Sequence, residues 1–297
     1  MVSKSKSDAA GKCERRGCAA RWRAAAPIRF AVTLFRAAAF LLSAHVSSAA
    51  ADSDLRAKYE VTLAGLTIAH ADTAIAVRGS AYSVRVSYRT SGAARLLGSA
   101  IGEAVSSGVY KGGRLVPTQF NLDHKGSRRT QKVNLVMSDG GVNAMTIDPP
   151  IAAGSRGPPI TPEHLKNIVD PVSAFLAPAL AANGRGEAGI CDRTVQIFDG
   201  LRRFNAVLKR KEARASSQGP YVGPLVGCQL QITPIAGDVT GDSNAEGRPP
   251  NRMLGETELM FGLANEQKIY VPVSLSAKIG YATLAVRLTQ FTNAGPH

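Results

Sequence analysis

The chain has 297 residues, a net charge of +14, a pI near 10.0 and a mean hydropathy of −0.04. After residue 51 no run reaches 18 apolar positions, which excludes a membrane protein built from spanning helices. The charge raises the question of nucleic acid, but residues 1–51 carry 9 basic and 2 acidic side chains, half of the excess, and the remainder is scattered. No nucleic-acid partner is therefore expected.

The chain opens with a polar, basic stretch from Met1 to Arg29. An apolar run broken at Arg36 continues from Ala37 to Val46, and small residues from Ser47 to Ala51 close it before charge returns at Asp52. A basic start, a short apolar middle and an A-x-A exit predict a secretory signal peptide over 1–51, cut after Ala51. A retained anchor is the competing reading, but the roughly 15 uncharged residues after Arg36 fall short of the ~20 that a spanning helix needs. The pair Arg15-Arg16 is followed by Gly17 and Cys18, not by the apolar stretch of a twin-arginine signal. Residues 52–297 are then expected to form one periplasmic β-rich domain, with no transmembrane segment after the signal is removed.

Period-2 alternation dominates that domain. Lys58–Leu63 and Leu66–Val77 read as strands, and Arg78-Gly79-Ser80 turns the chain into Ala81–Thr90. Further strands are predicted at Val105–Tyr110, Leu115–Asp123, Thr130–Met137 and Val142–Asp148, separated by glycine-rich turns. A Pro/Gly loop from Pro149 to Pro162 follows, then a short helix over Pro162–Val169. Asp170-Pro171 opens a second helix, with aspartate as N-cap and proline at the first helical position, and Asn183-Gly184 stops it. Strands resume at Thr194–Phe198, Phe204–Lys209, Leu225–Thr233, Thr257–Leu263, Ile269–Ser276 and Tyr281–Phe291. The fold class predicted is mostly β: a large curved antiparallel sheet, or open half-barrel, of roughly a dozen strands, with one or two short helices packed at its mouth. Low aromatic content, 6%, and the absence of an aromatic girdle argue against an outer-membrane barrel.

Cys13 and Cys18 leave with the signal. Cys191 and Cys228 remain in an oxidising compartment, where an isolated pair forms a disulfide, here expected to tie two neighbouring strands. Neither cysteine has a second cysteine or a histidine at ligand spacing, so no metal is expected. His70, His124, His164 and His297 are dispersed and form no H-x-x-x-H pair. There is no G-x-S-x-G elbow, phosphate loop or dinucleotide fingerprint, so no cofactor is expected. His124 beside Asp123 is the one candidate for an oriented base, with a solvated pair at a strand end as the plainer alternative. The loop Gly237–Glu246 alternates oxygen side chains as calcium loops do, but Pro249 stands where a bidentate glutamate belongs.

Several short signatures then coincide in order: Tyr59-Glu60-Val61 with Gly65-Leu66, Asp170-Pro171-Val172-Ser173, Phe198-Asp199-Gly200, Cys228, and Val271-Pro272-Val273 before Gly280 and Leu284. In this order they resemble exported bacterial proteins grouped as domain-of-unknown-function family 3108, over about residues 55–291. The resemblance implies a strongly bent antiparallel sheet in the cell envelope, with no assigned reaction and no catalytic residues to transfer. One departure is the lack of tryptophan after the leader, where Trp22 stands alone.

The leading functional expectation is a non-catalytic carrier for an apolar ligand or a lipoprotein acyl chain. Ala74, Ile75, Val77, Val84 and Val86 are read as its inward set, with Leu96, Leu97 and Ile101 in the first long loop and Phe175 and Leu176 on the central helix as ligand-binding candidates. The alternative is an envelope-assembly or scaffolding factor that binds anionic cell-wall polymer or a protein through basic residues, densest at Lys209-Arg210-Lys211 with Arg202, Arg203 and Arg214. A hydrolase using Asp123 and His124 is a third possibility.

Overall fold

The computed structural model describes residues 53–96, 98–111, 114–127, 129–150, 157–181, 189–217, 219–237, 256–264 and 269–294. The predicted leader, Leu97, the helix stop at Asn183-Gly184 and all but the first residue of the supposed calcium loop lie outside them. Among the described residues, alternation resolves into fourteen strands. They are β1 (Ser53–Leu63), β2 (Leu66–Arg78), β3 (Ala81–Thr90), β4 (Ala100–Lys111), β5 (Arg114–Gly126), β6 (Thr130–Ser138) and β7 (Gly141–Asp148), then β8 (Arg193–Phe198), β9 (Arg202–Arg210), β10 (Arg214–Ser216), β11 (Gly223–Gly237), β12 (Thr257–Leu263), β13 (Tyr270–Ile279) and β14 (Ala282–Ala294). One helix, α1 (Pro171–Ala181), separates the two sets.

All fourteen strands share one antiparallel sheet in the order β7-β6-β5-β4-β3-β2-β1-β14-β13-β12-β11-β9-β8, with β10 beside β11. The first seven form a hairpin meander. Pairing of β1 with β14 joins it to the second meander, so the N-terminal strand sits in the middle of the sheet. Register slips between Lys58 and Tyr59, Ser107 and Gly108, and Met260 and Phe261 bend the strands. The sheet curls far enough that Ile75 of β2, Leu135 of β6, Phe198 of β8 and Val271 of β13 share one core with Val172 and Leu176 of α1.

The strand ladder does not close, and a short extended segment spans its ends. The Ile168 N–H donates to the carbonyl of Gly140 in the β6–β7 turn at 2.9 Å. Val169 forms a parallel bridge with Ile197 of β8, with its N–H on Gln196 O at 2.9 Å and the Phe198 N–H on its carbonyl at 3.0 Å. This segment was expected to be helical. Only Pro162–Leu165 makes a 3₁₀ turn, because residues 168 and 169 give their backbone groups to the sheet ends. The β8–β9 turn closes on β6 as well: a Cβ on Gly200, at φ +94°, would stand 2.5 Å from Val133 Cγ1. Glycine is required there on both counts.

The disulfide joins Cys191, just ahead of β8, to Cys228 on β11, with Cα atoms 5.6 Å apart. These are not neighbouring strands, since β9 lies between them and Cys228 is opposite Arg210 of β9. The bridge therefore clamps a three-strand unit at one end of the sheet. Closing its loop contributes about 4 kcal/mol in the chain-entropy model, given the separation of 37 residues. No described helix is long and apolar enough to cross a membrane.

Candidate ligand cavity

The concave face of the sheet is read in cross-strand rows. One row runs Ile75–Val84–Ser106–Phe120 across β2 to β5, and the next Thr73–Val86–Ala104–Leu122. Ile75, Val84 and Phe120 are large and buried and fill the core under the first turn of α1. In the second row Thr73 and Ala104 are small, and so is Ala71 beyond them. Small side chains on the floor cannot reach the helix, and a cavity of about 270 Å³ results. Pro171, Val172 and Phe175 of α1 form its roof. Tyr59, Pro272, Leu275 and Val286 form the wall from β1, β13 and β14.

The lining is nearly all hydrocarbon. Tyr59 brings a hydroxyl, which donates to the Pro272 carbonyl at 3.0 Å and is thereby satisfied within the wall. Its ring meets Phe175 edge-on, with centroids 6.4 Å apart at 83°. Burial pushes the Tyr59 hydroxyl pKa far up, so it stays a neutral donor.

A buried polar cluster holds the roof at its N-terminal end. Asp170 Oδ1 accepts the N–H groups of Val172 and Ser173, each at 2.9 Å, as the N-cap of α1. Its Oδ2 accepts the Ser106 hydroxyl at 2.7 Å. Ser106 Oγ lies 2.8 Å from Ser173 Oγ, which lies 2.7 Å from the Tyr82 hydroxyl. Asp170, Ser106 and Ser173 are wholly buried. Burial drives the Asp170 carboxyl above its ordinary range, while the hydrogen bonds from Ser173, Ser106 and Val172 pull the other way and recover only part.

The residues singled out from sequence are dispersed around this site. Phe175 lines the cavity, and Leu176, 1% exposed, turns into the core beside it. Leu96 is 90% exposed and Ile101 59%, on β4 rather than in a loop, and neither lines the cavity. Val86 lines it, Ile75, Val77 and Val84 fill the core, and Ala74 faces the opposite side because alternation puts Thr73 inward. Asp123 and His124 are consecutive on β5 and point to opposite faces. Asp123 sits 3.8 Å from Lys132, and the His124 partner is the Tyr88 hydroxyl, so the aspartate does not orient the imidazole.

Four of the six basic side chains in the cluster are ion-paired, with three carboxylates between them. Arg202 pairs with Asp199, Arg210 with Asp192, and both Lys211 and Arg214 with Glu258, while Arg203 hydrogen-bonds Gln196, Asn205 and the Phe204 carbonyl. A separate polar cleft of about 480 Å³, with Lys111, Arg114 and Arg193 among its lining residues, lies where β8 and the β4–β5 hairpin face each other.

The family model described as a protein of unknown function (DUF3108) matches residues 58–289. The chain belongs to this family. No curated protein matches it. Among solved structures, the β-barrel-like protein of domain of unknown function DUF1849 from Brucella abortus is similar, with a TM-score of 0.51 at 12% identity over 82% of this chain and 98% of that one. At that identity the likeness concerns the fold, and the match to a barrel-like protein agrees with the curled sheet described above. The DUF3108 match spans β1 to β14 and so includes every strand that lines the cavity.

Proposed function

We propose that this DUF3108 protein is an exported, non-catalytic carrier that holds an apolar ligand, such as the acyl chain of a lipid or lipoprotein, beneath α1. The observation that carries the reading is the hydrocarbon-lined cavity of about 270 Å³ between Phe175 and the small floor residues Ala71, Thr73 and Ala104. Export is supported by the basic–apolar–small leader pattern and by the Cys191–Cys228 disulfide, which belongs in an oxidising compartment. At roughly 30 Å³ per chain atom, as for water in the liquid, the cavity holds about nine carbons. Burying them gains up to about 7 kcal/mol, from which association removes at least about 4.

Titration of the ligand-stripped protein with 1-naphthylamine, small enough for the cavity, tests the reading. Saturable fluorescence enhancement is expected, lost in an Ala104→Ile variant that occupies the floor. A wild-type protein with no saturable binding would sink it.

The alternative, an assembly factor gripping anionic cell-wall polymer, draws on the cleft with Lys111, Arg114 and Arg193. It calls for a salt-sensitive pull-down on such polymer that Arg114→Glu abolishes. Retention that is indifferent to salt would dismiss it.

A further inference from the structure

The row of inner-face residues after the cavity floor runs Ala71–Tyr88–Gly102–His124–Gln131, across β2 to β6. Ala71 also lines the cavity, so this row borders the cavity floor. The Tyr88 ring lies over Gly102: a Cβ there would stand 2.4 Å from the tyrosine oxygen. Glycine at 102 lets Tyr88 cross β4 and place its hydroxyl 2.7 Å from His124 Nδ1, with the two rings stacked at 6.0 Å and 25°. Among the described residues, Nδ1 is the hydrogen-bond partner of that hydroxyl. Burial raises the Tyr88 pKa, so the phenol stays protonated, and the contact is satisfied with either partner as donor.

A phenol donating to Nδ1 leaves the imidazole proton on Nε2, and the imidazolium form carries a proton there too. In both forms Nε2 presents an N–H donor, beside Gly126, where a Cβ would stand 3.0 Å from it, and no described residue accepts from it. Farther along the row, buried Gln131 holds the Arg129 guanidinium through Oε1, at 2.8 Å from Nη2 and 3.3 Å from Nε. An oriented donor and a tethered cation therefore stand in the row that borders the hydrocarbon cavity.

We propose that the ligand is a single-chain amphiphile whose head oxygen, a carboxylate or an acyl-ester carbonyl, is received by His124 Nε2–H, with its chain running past Ala71 beneath α1. This rests on the cavity reading above and adds the head group and its polarity. An ammonium head offers no acceptor to Nε2 and is repelled by Arg129. A chain of about nine carbons, as decanoate has behind its carboxylate, matches the cavity volume at roughly 30 Å³ per atom.

Titration of the purified protein with decanoate, decylamine and 1-naphthylamine tests it, in the wild type and in His124→Phe, which keeps a ring to stack on Tyr88. Decanoate is expected to bind at least tenfold tighter than decylamine. His124→Phe should weaken decanoate at least tenfold and leave naphthylamine within twofold, and His124→Gln, which restores a side-chain N–H, should recover most of the loss. Equal affinity for the two decyl probes, or an unchanged decanoate affinity in His124→Phe, overturns the proposal. Failure of naphthylamine to bind the wild type instead defeats the cavity reading, before any variant is made. A readout that needs no variant is the ¹⁵N resonance of His124 Nε2: it should move on adding decanoate and stay in place on adding naphthylamine. No shift with saturating decanoate also overturns the proposal.

Discussion

Replacing Ala104 by isoleucine distinguishes a cavity from a closely packed interface by the sign of the stability change. Ala104 lies in register between Val86 and Leu122 and faces Val172 and Phe175 across the cavity. Isoleucine adds three carbons, about 90 Å³ at roughly 30 Å³ each, which is a third of the 270 Å³ present. Burying them gains about 2.4 kcal/mol, less about 0.5–1 kcal/mol of side-chain entropy, for a net gain near 1.5 kcal/mol. In a tightly packed wall the same substitution would cost about 1–3 kcal/mol through overpacking. Urea unfolding of ligand-stripped protein with the disulfide intact measures the difference. With a slope of about 3 kcal/mol per molar, the midpoint should rise by roughly 0.5 M. A midpoint that falls would show that α1 already rests on Ala104 and would refute the cavity.

Two other positions are testable in the same assay. Asp170 has its folded-state pKa raised by burial, so its contribution to stability is fully present below the unfolded value and is lost as pH rises through the folded one. Asp170→Asn, which keeps the cap acceptor, should match or exceed the wild type at pH 7 and flatten that dependence above the ordinary carboxylate range, whereas Asp170→Ala should lie about 1–2 kcal/mol below the Asn variant at any pH. An Asn variant with the wild-type slope would assign the dependence to other groups. Gly200→Ala, which sets a methyl against Val133 Cγ1 in a left-handed turn, should cost about 1–3 kcal/mol, and an unchanged urea midpoint would mean the turn does not pack on β6.

The hairpins were legible because each is local: alternation and a turn lie within about twenty residues, and the Asp170-Pro171 cap is written in adjacent positions. What escaped is non-local. Pairing of β1 with β14 joins the two ends of the described chain, and nothing in either strand announces the other. The cluster around Asp170 joins Ser106, 64 residues away, and Tyr82 and Ser173, 91 apart, each of which reads alone as an ordinary strand or helix residue. Hydropathy ranks Ala74 above Thr73, whereas alternation from Ile75 and Val77 puts 73 inward. The start of β4 was missed because Gly102 breaks the apolar pattern, and the glycine is there for the Tyr88 ring, which belongs to another strand. Gly102 and His124 therefore carried a signal, but one that register alone makes readable.

The same non-local contacts explain why the cavity persists. Dispersion favours α1 settling onto Ala71, Thr73 and Ala104, and close packing is the ordinary state of an interior. The helix is restrained by groups that are not part of the apolar contact. Ahead of it, residues 168 and 169 are hydrogen-bonded to the β6–β7 turn and to β8, which sets where the chain enters. At its first turn, Asp170 and Ser173 are fixed to Ser106 and Tyr82, which sets its height over the row next to the floor. Lowering the helix would break buried hydrogen bonds, at about 1–3 kcal/mol for each group left unsatisfied, to gain contact with three small side chains. The polar cluster thus acts as a spacer, and the small residues of the floor turn that fixed spacing into room for a ligand.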